Sequence, residues 1–280
     1  MLSNLALAAA AIAAGAASAG PSASTSPAPL ATAYVAAAPS ASAGDTVPDN
    51  ASAVSFTTKD GQLLTGSLYM PKVSKKTTAP SPAALLIHDA SKSRSDFQEL
   101  ASYLQKKGFA VLSMDLRGHG DSETAECCFE RADDKGKENL WSLSARDVDA
   151  AVGFLLAQDN VHSSNLSIFG VGSGASLAVR HANDDENVRA VVLVDPEPVA
   201  FGYNLTAGIG ELGGLPTLIM TTKAKRDVAE RLQEQAHTVS EGLEYVKIIK
   251  LKTKDSNPLA DSKLDSQAGA WLREKVMPKK

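Results

Sequence analysis

From Val54 onward, short apolar runs of strand length alternate with stretches whose apolar residues recur every three or four positions. Val54 to Tyr69 holds two β-prone runs around Asp60-Gly61, strong turn chemistry that predicts a hairpin. Pro71 to Pro82, rich in Lys, Thr and Pro, reads as a loop, and Ala83 to Ile87 as a buried strand. Phe97, Leu100, Ala101 and Leu104 then fall on one helical face that Gly108 closes. The same alternation continues: strand Phe109 to Met114, helix at Val148, Ala151, Val152 and Leu155, then strands Leu166 to Phe169, Ala190 to Val194, Thr217 to Met220 and Tyr245 to Leu251. Helices are expected around Val228 to Ala236 and over Leu264 to Val276. Strands alternating with helices predict an α/β domain: a mostly parallel central sheet behind an antiparallel hairpin, with helices on both faces. One such domain covers residues 54–280, and no repeat of solenoid period interrupts it.

The first fifty residues are different. They are Ala-, Ser- and Pro-rich, lack Lys and Arg, and carry only Asp45 and Asp49 as charges, too little to build a core. Residues 1–19 read as an apolar leader of signal-peptide length ending at the small-residue site Ala17-Ser18-Ala19, which implies export to a periplasmic or extracellular space. Residues 20–53 read as a disordered linker. The apolar run is short for a bilayer, so no membrane span is expected in the mature chain.

With 28 Lys+Arg against 32 Asp+Glu, no single-sign field is available to grip phosphate backbones, which argues against nucleic acid as a partner. The two cysteines are neighbours, Cys127-Cys128, so neither a disulfide framework nor zinc-ligand spacing is present; two free thiols or a vicinal disulfide are the options. His119 with Asp115 and Asp121 has the residue types of a metal cluster. Gly170-Val171-Gly172-Ser173-Gly174 likewise resembles a phosphate turn, but it lacks the third spaced glycine and lies on a late strand.

Three stretches together resemble the α/β-hydrolase superfamily. These are Leu86-Ile87-His88-Asp89-Ala90, where the family has a His-Gly pair and one oxyanion-hole amide; Asp115-Leu116-Arg117-Gly118-His119-Gly120-Asp121-Ser122, similar to the run after the next strand; and Ser167 to Ala175, a strand, sharp turn and helix start in the place of the nucleophile elbow. The resemblance implies an α/β-hydrolase fold and, by default, a serine hydrolase acting on esters or amides. It also makes the Asp115 to Ser122 run a structural turn, with neither a metal nor another cofactor expected, and Asp121 to Asp134 the lid insertion.

The chemistry of that family departs at three places. Laying G-x-S-x-G on Gly170 and Gly174 puts Gly172, an inert residue, at the nucleophile position and leaves Ser173 one residue late. In that register Ala90 and Ser173 supply the oxyanion-hole-like amides, and the Ser173 side chain is expected to point elsewhere. Sliding the register by one makes Ser173 the nucleophile but loses both outer glycines. No histidine follows His237, although the family takes its base after the last strand. Lysines occupy the acid's slot after Met220, which leaves Asp195 and Asp227 as candidate acids, with helix capping the competing role of Asp227. Asp89 replaces the family's glycine, and a carboxylate there opposes negative charge developing in an oxyanion hole.

Two readings follow. The first is a catalytically degenerate α/β-hydrolase-fold protein that binds a small acyl-like or aromatic ligand, or a protein partner, in a pocket formed with His88, Asp89, Ala90, Leu116, Gly172 and Ser173. The second is an active serine hydrolase acting on carboxylic esters or similar acyl substrates through a shifted nucleophile at Ser173, with His88 or His119 as base and Asp195 or Asp227 as its orienter. His162, His181 and His237 are the remaining histidines.

Overall fold

The computed structural model describes residues 47–72, 79–239, 245–253 and 256–277. The expected leader and most of the expected linker lie outside them.

Asp60-Gly61 makes the expected turn, and β1 (Ser52–Thr57) pairs antiparallel with β2 (Leu63–Tyr69). The strand therefore begins two residues ahead of Val54. β2 then pairs antiparallel with β4 (Ala110–Met114), joining the hairpin to a parallel set. That set comprises β3 (Ser81–Ile87), β4, β5 (Val161–Val171), β6 (Val188–Val194), β9 (Thr217–Thr221) and β10 (Val246–Lys250). The sheet order is β1-β2-β4-β3-β5-β6-β9-β10. This is the mostly parallel α/β sheet the alternation predicted, in the arrangement the α/β-hydrolase resemblance implied. Pro82 lies inside β3 and not in the preceding loop; the pairing register shifts between Ser81 and Ala83, an irregularity that accommodates a residue with no N–H to donate.

The pleat divides the core in two. On β3, Ala83, Leu85 and Ile87 face one side, where they pack with Trp141, Val148 and Ala151 of α2 (Asp134–Leu156), Leu177 of α3 (Gly174–Asp184) and Leu232 of α5 (Arg226–Val239). Ala84 and Leu86 face the other, against Leu100 and Leu104 of α1 (Gln98–Lys106) and Trp271 and Leu272 of α6 (Leu264–Val276). Strands buried on both faces need continuous apolar runs, which is why they were legible.

Two elements depart from expectation. α2 starts at Asp134, capped by Asp133, whose carboxylate accepts the Gly136 N–H at 2.8 Å. Its first turns thus precede the helical face expected from Val148; Gly136 and the surrounding charges hide the helical period there. After β6, the chain forms a small hairpin of β7 (Val199–Ala200) and β8 (Tyr203–Asn204), then the one-turn helix α4 (Leu205–Gly210). Phe201 and Gly202 form its two-residue loop, with φ of 45° and 84°, the backbone of a type I′ turn. A phenylalanine tolerates this unusual backbone because its ring is wedged against Trp141 and Phe129, at centroid distances of 4.9 and 5.2 Å. Among the described residues no helix is long and apolar enough to cross a membrane.

Candidate active site

The parallel strands end along one edge of the sheet, where the loops after β3, β4, β5 and β6 meet. A cavity of about 710 Å³ opens there, lined among others by Asp89, Ala90, His119, Phe129, Ser173 and Phe201. Its size suits a small-molecule site.

β5 runs into α3 through a sharp turn whose left-handed residue is Gly172, φ 55°. The flanking glycines are held by close backbone approach: a Cβ on Gly170 would stand 2.5 Å from Ala175 Cα, and one on Gly174 would stand 2.5 Å from the His88 carbonyl oxygen. A Cβ on Gly172 would stand 2.0 Å from Asp89 Oδ2. The direction in which an elbow residue projects its side chain is therefore filled by the carboxylate of Asp89, delivered from the end of β3.

Asp89 is hydrogen-bonded at both oxygens. Its Oδ2 accepts the Ser173 N–H at 2.9 Å and the Ser173 hydroxyl at 3.0 Å. Its Oδ1 accepts the Ser91 N–H at 3.0 Å and the Ser91 hydroxyl at 2.8 Å. Partial burial pushes its pKa up, but these four neutral donors pull it below the usual carboxylate range. Ser173 in turn accepts the Ala90 N–H at 2.8 Å. Its side chain does not point away from the oxyanion-hole amides, as expected, because Ala90 N–H and Asp89 together draw the hydroxyl toward them. Both amides are thus satisfied by the protein itself.

The histidines are engaged elsewhere. His88 donates from Nδ1 to the Asp89 carbonyl at 2.8 Å and accepts the Leu116 N–H on Nε2 at 3.0 Å. Burial, with His119 beside it, pushes its pKa down to about 3, so the ring is neutral and has no lone pair to offer. His88 and Leu116 were expected to line the pocket. They form the layer beneath it instead, 1% and 0% exposed, because that hydrogen bond locks the two loops together. Gly172 too is buried, under Asp89. His119 does face the cavity, but its ring nitrogens lie 3.0 Å from the Arg117 carbonyl and 2.9 Å from the Ala90 carbonyl. His181 bridges Asp149 and Asp185, His162 lies near the opposite end of β5, and His237 lies in the last turn of α5. Among the described residues no histidine nitrogen hydrogen-bonds the Ser173 hydroxyl.

Among the described residues neither candidate acid hydrogen-bonds a histidine. Asp195, with φ 44°, accepts from Thr222 N–H at 2.7 Å, Thr222 hydroxyl at 2.8 Å and Thr221 hydroxyl at 3.1 Å, stapling the end of β6 to that of β9. Asp227 is exposed and paired with Arg231 at 3.2 Å. Lys225, in the acid's slot, pairs with Glu197. The Asp115 to Ser122 run is a structural turn wired by buried ions: Arg94 pairs with Asp115 and Asp121, and Arg117 with Asp147 at 2.6 Å and Asp60 at 2.9 Å. Among the described residues no group of three His, Cys, Asp or Glu side chains is placed to hold a metal ion. Cys127 and Cys128 are free thiols.

The sequence did not reveal the aromatic wall of Phe129 and Phe201. Phe201-Gly202 is weak turn chemistry, and Phe129 sits in a polar stretch with no period.

The comparisons agree with the fold. The model of the family described as serine aminopeptidase, S33, matches residues 78–240, more than half of the chain. Esterase FrsA of Yersinia enterocolitica is 29% identical over 178 residues, which cover 62% of this chain and 37% of that protein, so the chain spans little more than a third of that relative's length. Among solved structures, an esterase of Pyrococcus furiosus aligns with a TM-score of 0.63 at 15% identity, covering 87% of this chain and 99% of that one. The esterase domain of a Rhodothermus marinus protein aligns with a TM-score of 0.58 at 20% identity, covering 81% and 99%. Sheet order, elbow turn and family match together identify the chain as a member of the serine aminopeptidase S33 family, within the esterase-like α/β-hydrolases.

Proposed function

We propose that this chain is a binding protein built on the hydrolase fold, its cavity retained for a small ligand and its acyl-transfer chemistry lost. One observation carries the reading: the Asp89 carboxylate fills the space into which a residue at Gly172 would project and holds the Ser173 N–H. An oxyanion hole works because its donors are free and aimed at developing negative charge. Here one donor already holds an anion and the other, Ala90 N–H, holds the Ser173 hydroxyl. Ser173 also lacks a base, since its hydroxyl donates to a carboxylate held below the usual range. Removing triad members from a serine hydrolase leaves only ~10³ to 10⁴-fold acceleration over water, and that remainder depends on an open oxyanion hole.

The second reading, an active esterase with Ser173 as nucleophile, is favoured by the esterase activity named for the Yersinia relative. It requires Asp89 to leave and a base to arrive. Hydrolysis of 4-nitrophenyl acetate and butyrate by the full chain, beside Ser173→Ala, separates the two. The expected outcome is a rate equal to buffer for both proteins; a rate that Ser173→Ala abolishes establishes the second reading.

A further inference from the structure

Asp89 has hydrogen bonds but no counterion. Its four bonds come from N–H and O–H groups, and among the described residues no Lys or Arg forms an ion pair with it. The neighbouring imidazole of His88 is neutral. Of the basic side chains at the cavity, Lys92 pairs with Asp96 at 3.8 Å, and Lys137, whose ammonium lies 6.0 Å from the centre of the Phe129 ring, forms no ion pair with Asp89. Lys225 neutralises Glu197, another lining residue. A carboxylate facing a partly enclosed cavity without a cation is electrostatically incomplete, because low-dielectric walls strengthen its field over that of an exposed charge.

The kind of cation that suits Asp89 follows from the same bonds. A carboxylate offers about four lone-pair sites, and all four here are taken. A metal ion needs those lone pairs directly, and a primary ammonium gains most by donating into them. A diffuse cation that makes no hydrogen bonds needs only the charge. Its apolar groups are met by Phe129 and Phe201, which line the cavity beside Asp89.

We propose that the cavity binds a quaternary ammonium compound, its charge facing Asp89 and its methyl or aryl groups against Phe129 and Phe201. This rests on the non-catalytic reading of the same site and names its ligand class.

The test is calorimetric titration of the full chain with benzyltrimethylammonium, benzyl alcohol and benzoate, which share the ring and differ in charge. The quaternary ion is expected to bind about tenfold or more tightly than either of the others. Asp89→Asn, similar in shape and uncharged, is expected to remove that preference, and Phe201→Ala to weaken all ring-bearing ligands. Benzoate binding as tightly as the cation, a preference that survives Asp89→Asn, or no binding of the cation at millimolar concentration would each overturn the proposal. The wild-type comparison stands even if a variant fails to fold. Running 4-nitrophenyl acetate on the same samples keeps the two readings apart: a Ser173-dependent rate defeats the non-catalytic reading, whereas a silent enzyme without cation preference defeats only the ligand class.

Discussion

Asp147 and Asp89 lie under neighbouring loops of the same sheet edge, and they are satisfied in opposite ways. Asp147 is buried on α2 and meets a guanidinium, which also reaches Asp60. Asp89 lines a cavity and meets only N–H and O–H dipoles. The first arrangement is closed within the chain: charge, counter-charge and hydrogen bonds are all supplied, and its work is to hold the loop after β4 against α2. The second supplies the hydrogen bonds and leaves the charge open. Under the proposed binding function, the frame of a hydrolase stays complete while the place where its chemistry would occur is put to another use, because frame and site depend on different residues.

The largest effect is expected from breaking the closed arrangement. Arg117→Ala leaves Asp147 as an uncompensated buried charge and should cost about 3–5 kcal/mol, measured by urea unfolding. A loss under about 1 kcal/mol would mean that the contrast between the two carboxylates is not one of structural weight. At the other site, Gly172→Ser places a Cβ against Asp89 at a left-handed position, and about 1–3 kcal/mol is expected. The part due to the contact should vanish in an Asp89→Gly background while the backbone strain remains, giving a coupling of about 1 kcal/mol in the double-mutant cycle. Additive effects would mean that the carboxylate swings away freely and does not fill the elbow.

The smallest effect is a dependence on pH. The pKa of Asp89 is lowered from 3.8 on folding, so its contribution to stability is present above 3.8 and fades as pH falls toward its folded value. Wild type should exceed Asp89→Asn by about 1 kcal/mol at pH 6, the scale of lost hydrogen bonds, and the gap should narrow steadily below pH 4. A gap that widens on acidification would reverse the assignment of Asp89 as the ionised partner.

Much of the frame was readable from the sequence because it rests on local signals. Continuous apolar runs, Asp60-Gly61 and the Leu100 to Leu104 face each announce an element within a few residues. The site was readable only in part. The glycines at 170, 172 and 174 mark a sharp strand-to-helix turn, and the histidine-free stretch after β10 is visible by inspection. That Asp89 would sit in the side-chain space of Gly172 is not visible, since the two are 83 residues apart in sequence and meet only through the β3–β5 register. The sequence points to an electrostatic effect of Asp89 on the oxyanion hole but not to its filling the side-chain space of Gly172 and taking the Ser173 N–H. It also placed His88 and Leu116 at the surface of the pocket, because strand patterning locates a loop but not which of its side chains turns inward.

The contact between Asp89 and Gly172 also imposes an order on change. Introducing serine at 172 first sets it against the carboxylate, and removing the carboxylate first strips four hydrogen bonds from the loops after β3 and β5 while leaving no nucleophile. Neither single step yields an intermediate with anything gained, and a base would still be required. On the reading proposed here, the path from this sequence back to a hydrolase crosses a valley that one substitution at a time does not easily pass, so the pair acts as a ratchet.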